Sequence, residues 1–201
     1  MTRLPQVAMA LVILACAAGC GAFSGKKRVE PVLDAREKKV LVVPFRMGNR
    51  WHYHSREGDE LGRSILLVLQ RTCDGFQPVL APAVEEAIST FSEEDVPWAR
   101  FGRDAGAELV LLGSIEKLSL ENPRAVGMLQ SSAVVNMEIW DVGLGTKVFQ
   151  RQILTRYPDD PASGEVFISF DQNARDVQRG LFARIAIGIS ELLCGYEEED
   201  S

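Results

Sequence analysis

The side chains of this chain best suited to chemistry are its four cysteines, Cys16, Cys20, Cys73 and Cys194, and its two histidines, His52 and His54. A thiol can be acylated, oxidised to a disulfide or bound to a metal, and its place in the sequence decides among these. Cys16 and Cys20 lie at the end of an apolar run over residues 7–18, behind the basic residue Arg3, and small residues surround Cys20. The run falls far short of the roughly 20 residues that span a bilayer as a helix. It has the form of an export signal, and a cysteine at the cut point is an acceptor for acyl chains such as palmitate. If Cys16 is removed and Cys20 acylated, Cys73 and Cys194 remain, and an even pair in an exported protein is most simply a disulfide. Two separate buried thiols are the alternative, because proximity is not written in the sequence. His52 and His54 stand close to Glu57, Asp59 and Glu60 and would hold zinc if they shared a strand face. They fall instead in a loop between a predicted strand and helix, with no third histidine, so no metal and no cofactor is expected. Gly143-Leu144-Gly145 lacks the glycine and helix of a dinucleotide site, and Ser114 lacks a nucleophile elbow. The chain reads as a non-enzyme, with a metal enzyme using His52 and His54 as a remote alternative.

Ala17-Ala18-Gly19-Cys20 resembles the lipobox that ends bacterial lipoprotein signals, with Ala in the place where Leu is commoner. Cys20 is preferred to Cys16 because glycine precedes it and a full apolar segment stands before it. Residues 1–19 are then the signal, residues 20–38 a lipidated tether, residues 39–195 an α/β domain and residues 196–201 an acidic tail. At about 3.5 Å per extended residue the tether reaches roughly 65 Å from the bilayer. Gly21 is not the Asp that often retains lipoproteins in the inner membrane, which points to the outer membrane with the domain facing the periplasm. The 201 residues carry 22 basic and 28 acidic side chains, a net charge of −6. That balance excludes nucleic acid as a partner, which demands a clustered basic surface. Lys26-Lys27-Arg28 is the one basic cluster; beside the anchor it is a solvated linker or a contact for anionic headgroups.

The elements that position these residues follow from periodicity. Residues 40–45 form a continuous apolar run, the mark of a strand buried on both faces, and Pro44 helps to end it. Leu61, Ile65, Val68, Leu69 and Thr72 recur at helical spacing, with Ser55 as N-cap and acids in the first turn. Between them the loop of residues 46–56 lies at the carboxyl end of a central strand, where open α/β sheets place ligand sites. It combines Trp51 and Tyr53 with Arg46, Arg50 and Arg56, types enriched at protein interfaces, and is the candidate docking site. A short strand over residues 76–80, helices opened by Pro82 and Pro97, and a second apolar strand over residues 109–115 continue the alternation. Residues 116–131 and 157–169 read as insertions. Residues 132–142 alternate, with Ala133, Val135, Met137 and Ile139 on one face, and turn at residues 143–146 into a second strand. A helix over residues 171–194, with Ala174, Val177, Leu181, Ile185, Ile189 and Leu192 as its buried stripe, closes the domain at Gly195. The fold class is α/β: one two-layer or three-layer domain with a mixed sheet, an antiparallel hairpin near the C-terminus and a long C-terminal helix.

The strand ending in Pro44-Phe45, the run from Gly102 through Gly113-Ser114-Ile115, and Ile139-Trp140-Asp141-Val142-Gly143-Leu144-Gly145-Thr146 before a terminal helix carry a resemblance. Over about residues 38–195 the chain is similar to the bacterial envelope α/β domain shared by the TolB amino-terminal domain, the LpoB activator of penicillin-binding proteins and the curli secretion channel CsgG. The resemblance implies a non-catalytic protein that docks on other envelope proteins or helps to assemble them. Its competing implication is self-association as a subunit of a secretion channel, whose hairpins enter the outer membrane. Such hairpins need strands of about 9–11 residues with lipid-facing alternation, and the two insertions lack that pattern. No binding residue carries over from the family.

Overall fold

A computed structural model of the chain describes residues 27–48, 55–79, 96–121, 130–158 and 174–198. In chain order these form β1 (Lys27–Val29), β2 (Lys39–Val42), β3 (Arg46–Met47), α1 (Arg56–Thr72), β4 (Gln77–Val79), α2 (Trp98–Asp104), β5 (Leu109–Glu121), β6 (Gln130–Asp141), β7 (Thr146–Tyr157), α3 (Ala174–Cys194) and β8 (Tyr196–Glu198). The helix expected after Pro82 lies outside the described residues.

The principal unit, residues 30–196, is built on a mixed sheet in the order β4-β2-β5-β6-β7, with β3 also paired to β5. β2 runs parallel to β4 and β5, and β3 parallel to β5. β5, β6 and β7 are successively antiparallel, with bulges between Ile115 and Lys117 and between Ile139 and Trp140. The long strand pair follows from alternation: Ala133, Val135, Met137 and Ile139 of β6 are buried while the residues between them are half-exposed. Those buried residues, with Val40, Leu111 and Ile115, meet Leu61, Ile65 and Leu69 of α1 and Leu181, Phe182, Ile185 and Ile189 of α3 in the main core. Leu41, Val43, Val110 and Leu112 point the other way, where Val96, Trp98 and Ala107 cover them in a smaller core. The sheet is therefore three layers deep where α2 lies on it and two layers deep along the hairpin. Glu108 fastens its start, accepting the Lys39 N–H at 3.0 Å and the Lys38 ammonium at 3.3 Å. Those two donors, the backbone one first, hold the Glu108 carboxyl below its ordinary pKa.

Three sequence boundaries need correction. β5 extends to Glu121 and β6 begins at Gln130, so half of the supposed insertion over residues 116–131 is strand. The hydrophilic Glu116 and Lys117 hide this, because the bulge shifts the alternation there. The tether does not reach residue 38: the Val32 and Leu33 N–H groups donate to Leu192 O and that of Ala35 to Leu193 O, with Ala35 fully buried. The last carbonyls of a helix have no donors within it, and these residues supply them to α3. The C-terminal tail is not wholly solvated chain, for β8 pairs with β1 in a separate two-stranded sheet that keeps its acidic side chains exposed. In α3, Val177, Leu181, Ile185 and Ile189 are buried as the stripe requires, but Ala174 is exposed, and Phe182, Ala186 and Leu193 are buried as well. α3 packs against α1, β6 and β7, so its buried face is wider than a single stripe.

Candidate docking surface

The described flanks of the stretch read as the docking loop, residues 46–48 and 55–56, are both held by the fold. On one side β3 pairs Arg46 with Ser114 and Met47 with Ile115, and the Gly48 N–H donates to Ile115 O at 2.8 Å. On the other, Ser55 caps α1, its Oγ accepting the Gly58 N–H at 2.9 Å. Gly58 is required there, because a Cβ at this position would run into the Phe45 carbonyl oxygen. Phe45 is itself fully buried, with its ring against Gly113, where a Cβ would meet both that ring and the Asn136 carbonyl. Buried packing at Phe45 thus fixes both the end of the strand and the start of the helix. Of the residues singled out for docking, Arg46 is half-buried at one root of the loop and Arg56 is exposed at the other. Arg50, Trp51 and Tyr53 lie outside the described residues, as do His52, His54 and Cys20.

A second surface is not legible in residue types alone. On the hairpin half of the sheet, the face turned away from α1 and α3 is uncovered among the described residues, and Leu154 is 66% exposed there. The register aligns Lys117, Val134 and Leu154 in one row and Ser119, Ser132 and Arg156 in the next. Lys117, Val134, Leu154, Ser132 and Arg156, with Gln130 and Ala133, line a concavity of about 290 Å³. Val134 and Leu154 form its apolar floor, while the Ser119 and Ser132 hydroxyls bond to each other at 2.7 Å. Lys117 and Arg156 have no hydrogen bond or ion pair among the described residues, and both are exposed. Two such cations beside an apolar floor suit an anionic group carried on an apolar body. Sequence alternation names Val134, Leu154 and Arg156, but only the bulge after Ile115 brings Lys117 into their row.

The third pair of residues is structural. Cys73 and Cys194 stand at the C-terminal ends of α1 and α3, their Cα atoms 5.3 Å apart, and are joined in a disulfide. Among the described residues no group of three His, Cys, Asp or Glu side chains is placed to hold a metal ion, and no helix is long and apolar enough to cross a membrane.

Among the described residues, fold and surface define an α/β domain with a six-stranded mixed sheet, two helices on one face and one half of the other face uncovered. No family model matches the sequence, and no curated protein matches it. Among solved structures, the chain is similar to PelC from Paraburkholderia phytofirmans, solved as a dodecamer, with 17% identity over 84% of this chain and 98% of that one and a TM-score of 0.50. It is similar to the hypothetical protein CT253 from Chlamydia trachomatis, with 16% identity over 78% of this chain and 98% of that one and a TM-score of 0.50. The LpoB C-terminal domain from Salmonella enterica is 15% identical over 73% of this chain and 94% of that one, with a TM-score of 0.38. At these identities the similarity is one of fold.

Proposed function

We propose that this chain is a lipid-anchored bacterial envelope protein that works by docking on or helping to assemble other envelope proteins, without catalysing a reaction. The observation that carries this reading is the export pattern ending at Cys20, only 12 residues before the first hydrogen bond of Val32 to α3. A chain anchored through several acyl chains is held durably, since each buried methylene contributes about 0.8 kcal/mol. Gly21 after the anchor favours the outer membrane, with the domain on the periplasmic side. The loop of residues 46–56 and the open sheet face offer surface for a protein partner. Metabolic labelling with an alkyne fatty acid tests the anchor: the wild-type chain takes the label and a Cys20→Ala chain does not. Crosslinking in intact cells followed by mass spectrometry tests the docking role, and a chain that crosslinks to no envelope protein overturns it.

A ring of copies is the second reading, favoured by the dodecameric state in which PelC was solved. Mass photometry of the detergent-extracted chain separates the two: single copies support an adaptor, whereas a large closed assembly supports the ring.

A further inference from the structure

β7 is the outer strand of the sheet on the hairpin side, and among the described residues nothing pairs with its free edge. Alternate backbone N–H and C=O groups of such a strand point away from their one neighbour and are unsatisfied by the sheet. From Phe149 to Tyr157 its register with β6 is unbroken, so the edge is straight over that length. The strand contains neither Pro nor Gly, either of which would blunt it. Its charge is one-sided: Lys147, Arg151 and Arg156 are basic, and no acidic residue occurs in it, although the whole chain has a net charge of −6. Lys147 is neutralised by Glu138 at 3.3 Å. Arg151 and Arg156 have no hydrogen bond or ion pair among the described residues and are exposed.

We propose that β7 is a docking seam, whose free edge takes an extended acidic segment of a different envelope protein as an added strand, with an apolar side chain of that segment against Leu154 and its carboxylates on Arg151 and Arg156. The inference rests on the docking reading above and names the surface and the chemistry of its partner. Main-chain hydrogen bonds along the edge supply affinity, and the cations select the occupant. A second copy is excluded as the occupant by charge. A second β7 would bring three more basic side chains and no acid to an edge that is already basic, so it offers the arginines no partner.

The test uses the full mature chain in detergent and a soluble dodecapeptide repeating Glu-Glu-Val-Val, which as a strand carries both carboxylates and apolar side chains on each face. Binding is read by hydrogen exchange and by fluorescence anisotropy of the labelled peptide. The expected result is binding that slows exchange of amides within residues 149–157 at least about tenfold. An Arg151→Glu, Arg156→Glu chain with an unchanged urea midpoint should bind about tenfold more weakly, two surface charge pairs being worth roughly that much. A Lys-for-Glu peptide and an acidic peptide with a central proline should not bind. Absence of binding, protection confined to other strands, or equal affinity of the charge-reversed chain overturns the proposal, and the exchange measurement on the unaltered protein does not depend on the variant folding. If crosslinking finds an envelope partner on residues 46–56 while the β7 amides stay unprotected, the seam is wrong and the docking reading stands. If no partner is found at all, the docking reading falls with it.

Discussion

Alanine is the better helix former, by about 1 kcal/mol over glycine in a helix interior, and two glycines of this chain test what overrides that preference. Gly188 in α3 has open space where a Cβ would stand, so Gly188→Ala should raise stability by about 0.5–1 kcal/mol, read as a higher urea midpoint. Gly58 is helical too, but a Cβ there meets the Phe45 carbonyl, which belongs to a buried strand end and cannot yield as a flexible side chain does. Gly58→Ala should therefore lower stability, by about 1–3 kcal/mol as overpacking usually does. Equal responses at the two positions would deny the close approach of α1 to β3. A charged residue gives a different signal. The Glu108 carboxyl is held below its ordinary pKa by the Lys39 N–H and the Lys38 ammonium. The unfolded chain then binds a proton at a pH where the folded chain does not, so this contribution is complete above about pH 4.3, the ordinary value for Glu. It is lost as the pH falls through the lower folded value. Glu108→Gln should be less stable than wild type at neutral pH, and the gap should close in acid. A gap that persists unchanged down to pH 3 would assign the loss to something other than the charge.

The disulfide acts between elements. It ties the end of α1 to the end of α3 across a sequence separation of 121, and in the chain-entropy picture a loop of that order is worth about 4–5 kcal/mol. A Cys73→Ala, Cys194→Ala chain should lose about that much in urea unfolding, and the mass of the wild type should rise by two hydrogens on reduction. Thiols that react fully before any reductant is added would contradict the bridge. How far such elements could be foreseen depends on the range of the interactions that make them. The alternation of Ala133, Val135, Met137 and Ile139 is local, and β6 follows directly; so does the start of α1, since Ser55 and the first-turn acids are its own cap. The stretch over residues 46–56, read from the sequence as one loop, has Arg46 and Met47 in β3 and Arg56 in α1, and residues 49–54 lie outside the described residues. β5 beyond Ile115 was not legible, because a bulge breaks its period at Glu116 and Lys117. Residues 32–35 look like linker until the carbonyls of Leu192 and Leu193, far along the chain, are seen to need their N–H groups. The open sheet face and the free edge of β7 were hidden for the same reason. Strand order is settled by long-range pairing, so the row of Lys117, Val134 and Leu154 exists only once three strands are laid side by side.

At the scale of the molecule, the early docking of residues 32–35 on α3 changes the geometry of attachment. A tether running to residue 38 would reach roughly 65 Å, whereas the 12 residues from Cys20 to Val32 extend at most about 40 Å at 3.3–3.6 Å each. With the proposed anchor at Cys20, a domain within that reach of the bilayer would meet partners in a thin layer next to the membrane. That layer suits a seam such as β7, since restricting both partners to it raises their effective concentration without any new contact. The same short connection separates two roles that a single substitution can distinguish. Among the described residues the hydrogen bonds of residues 30–196 begin at Val32, so the proposed anchor is expected to hold the chain without holding up its fold. Cys20→Ala should therefore move the chain from the membrane fraction to the soluble periplasmic fraction while leaving its urea midpoint within about 0.5 kcal/mol of wild type, as for substitutions far from the core. A chain that stays with the membrane after the change would show that a segment other than the acylated cysteine holds it there. A lowered midpoint in the released protein would show that the residues before Lys27 take part in the fold, and the anchor would then be a structural element as well as an address.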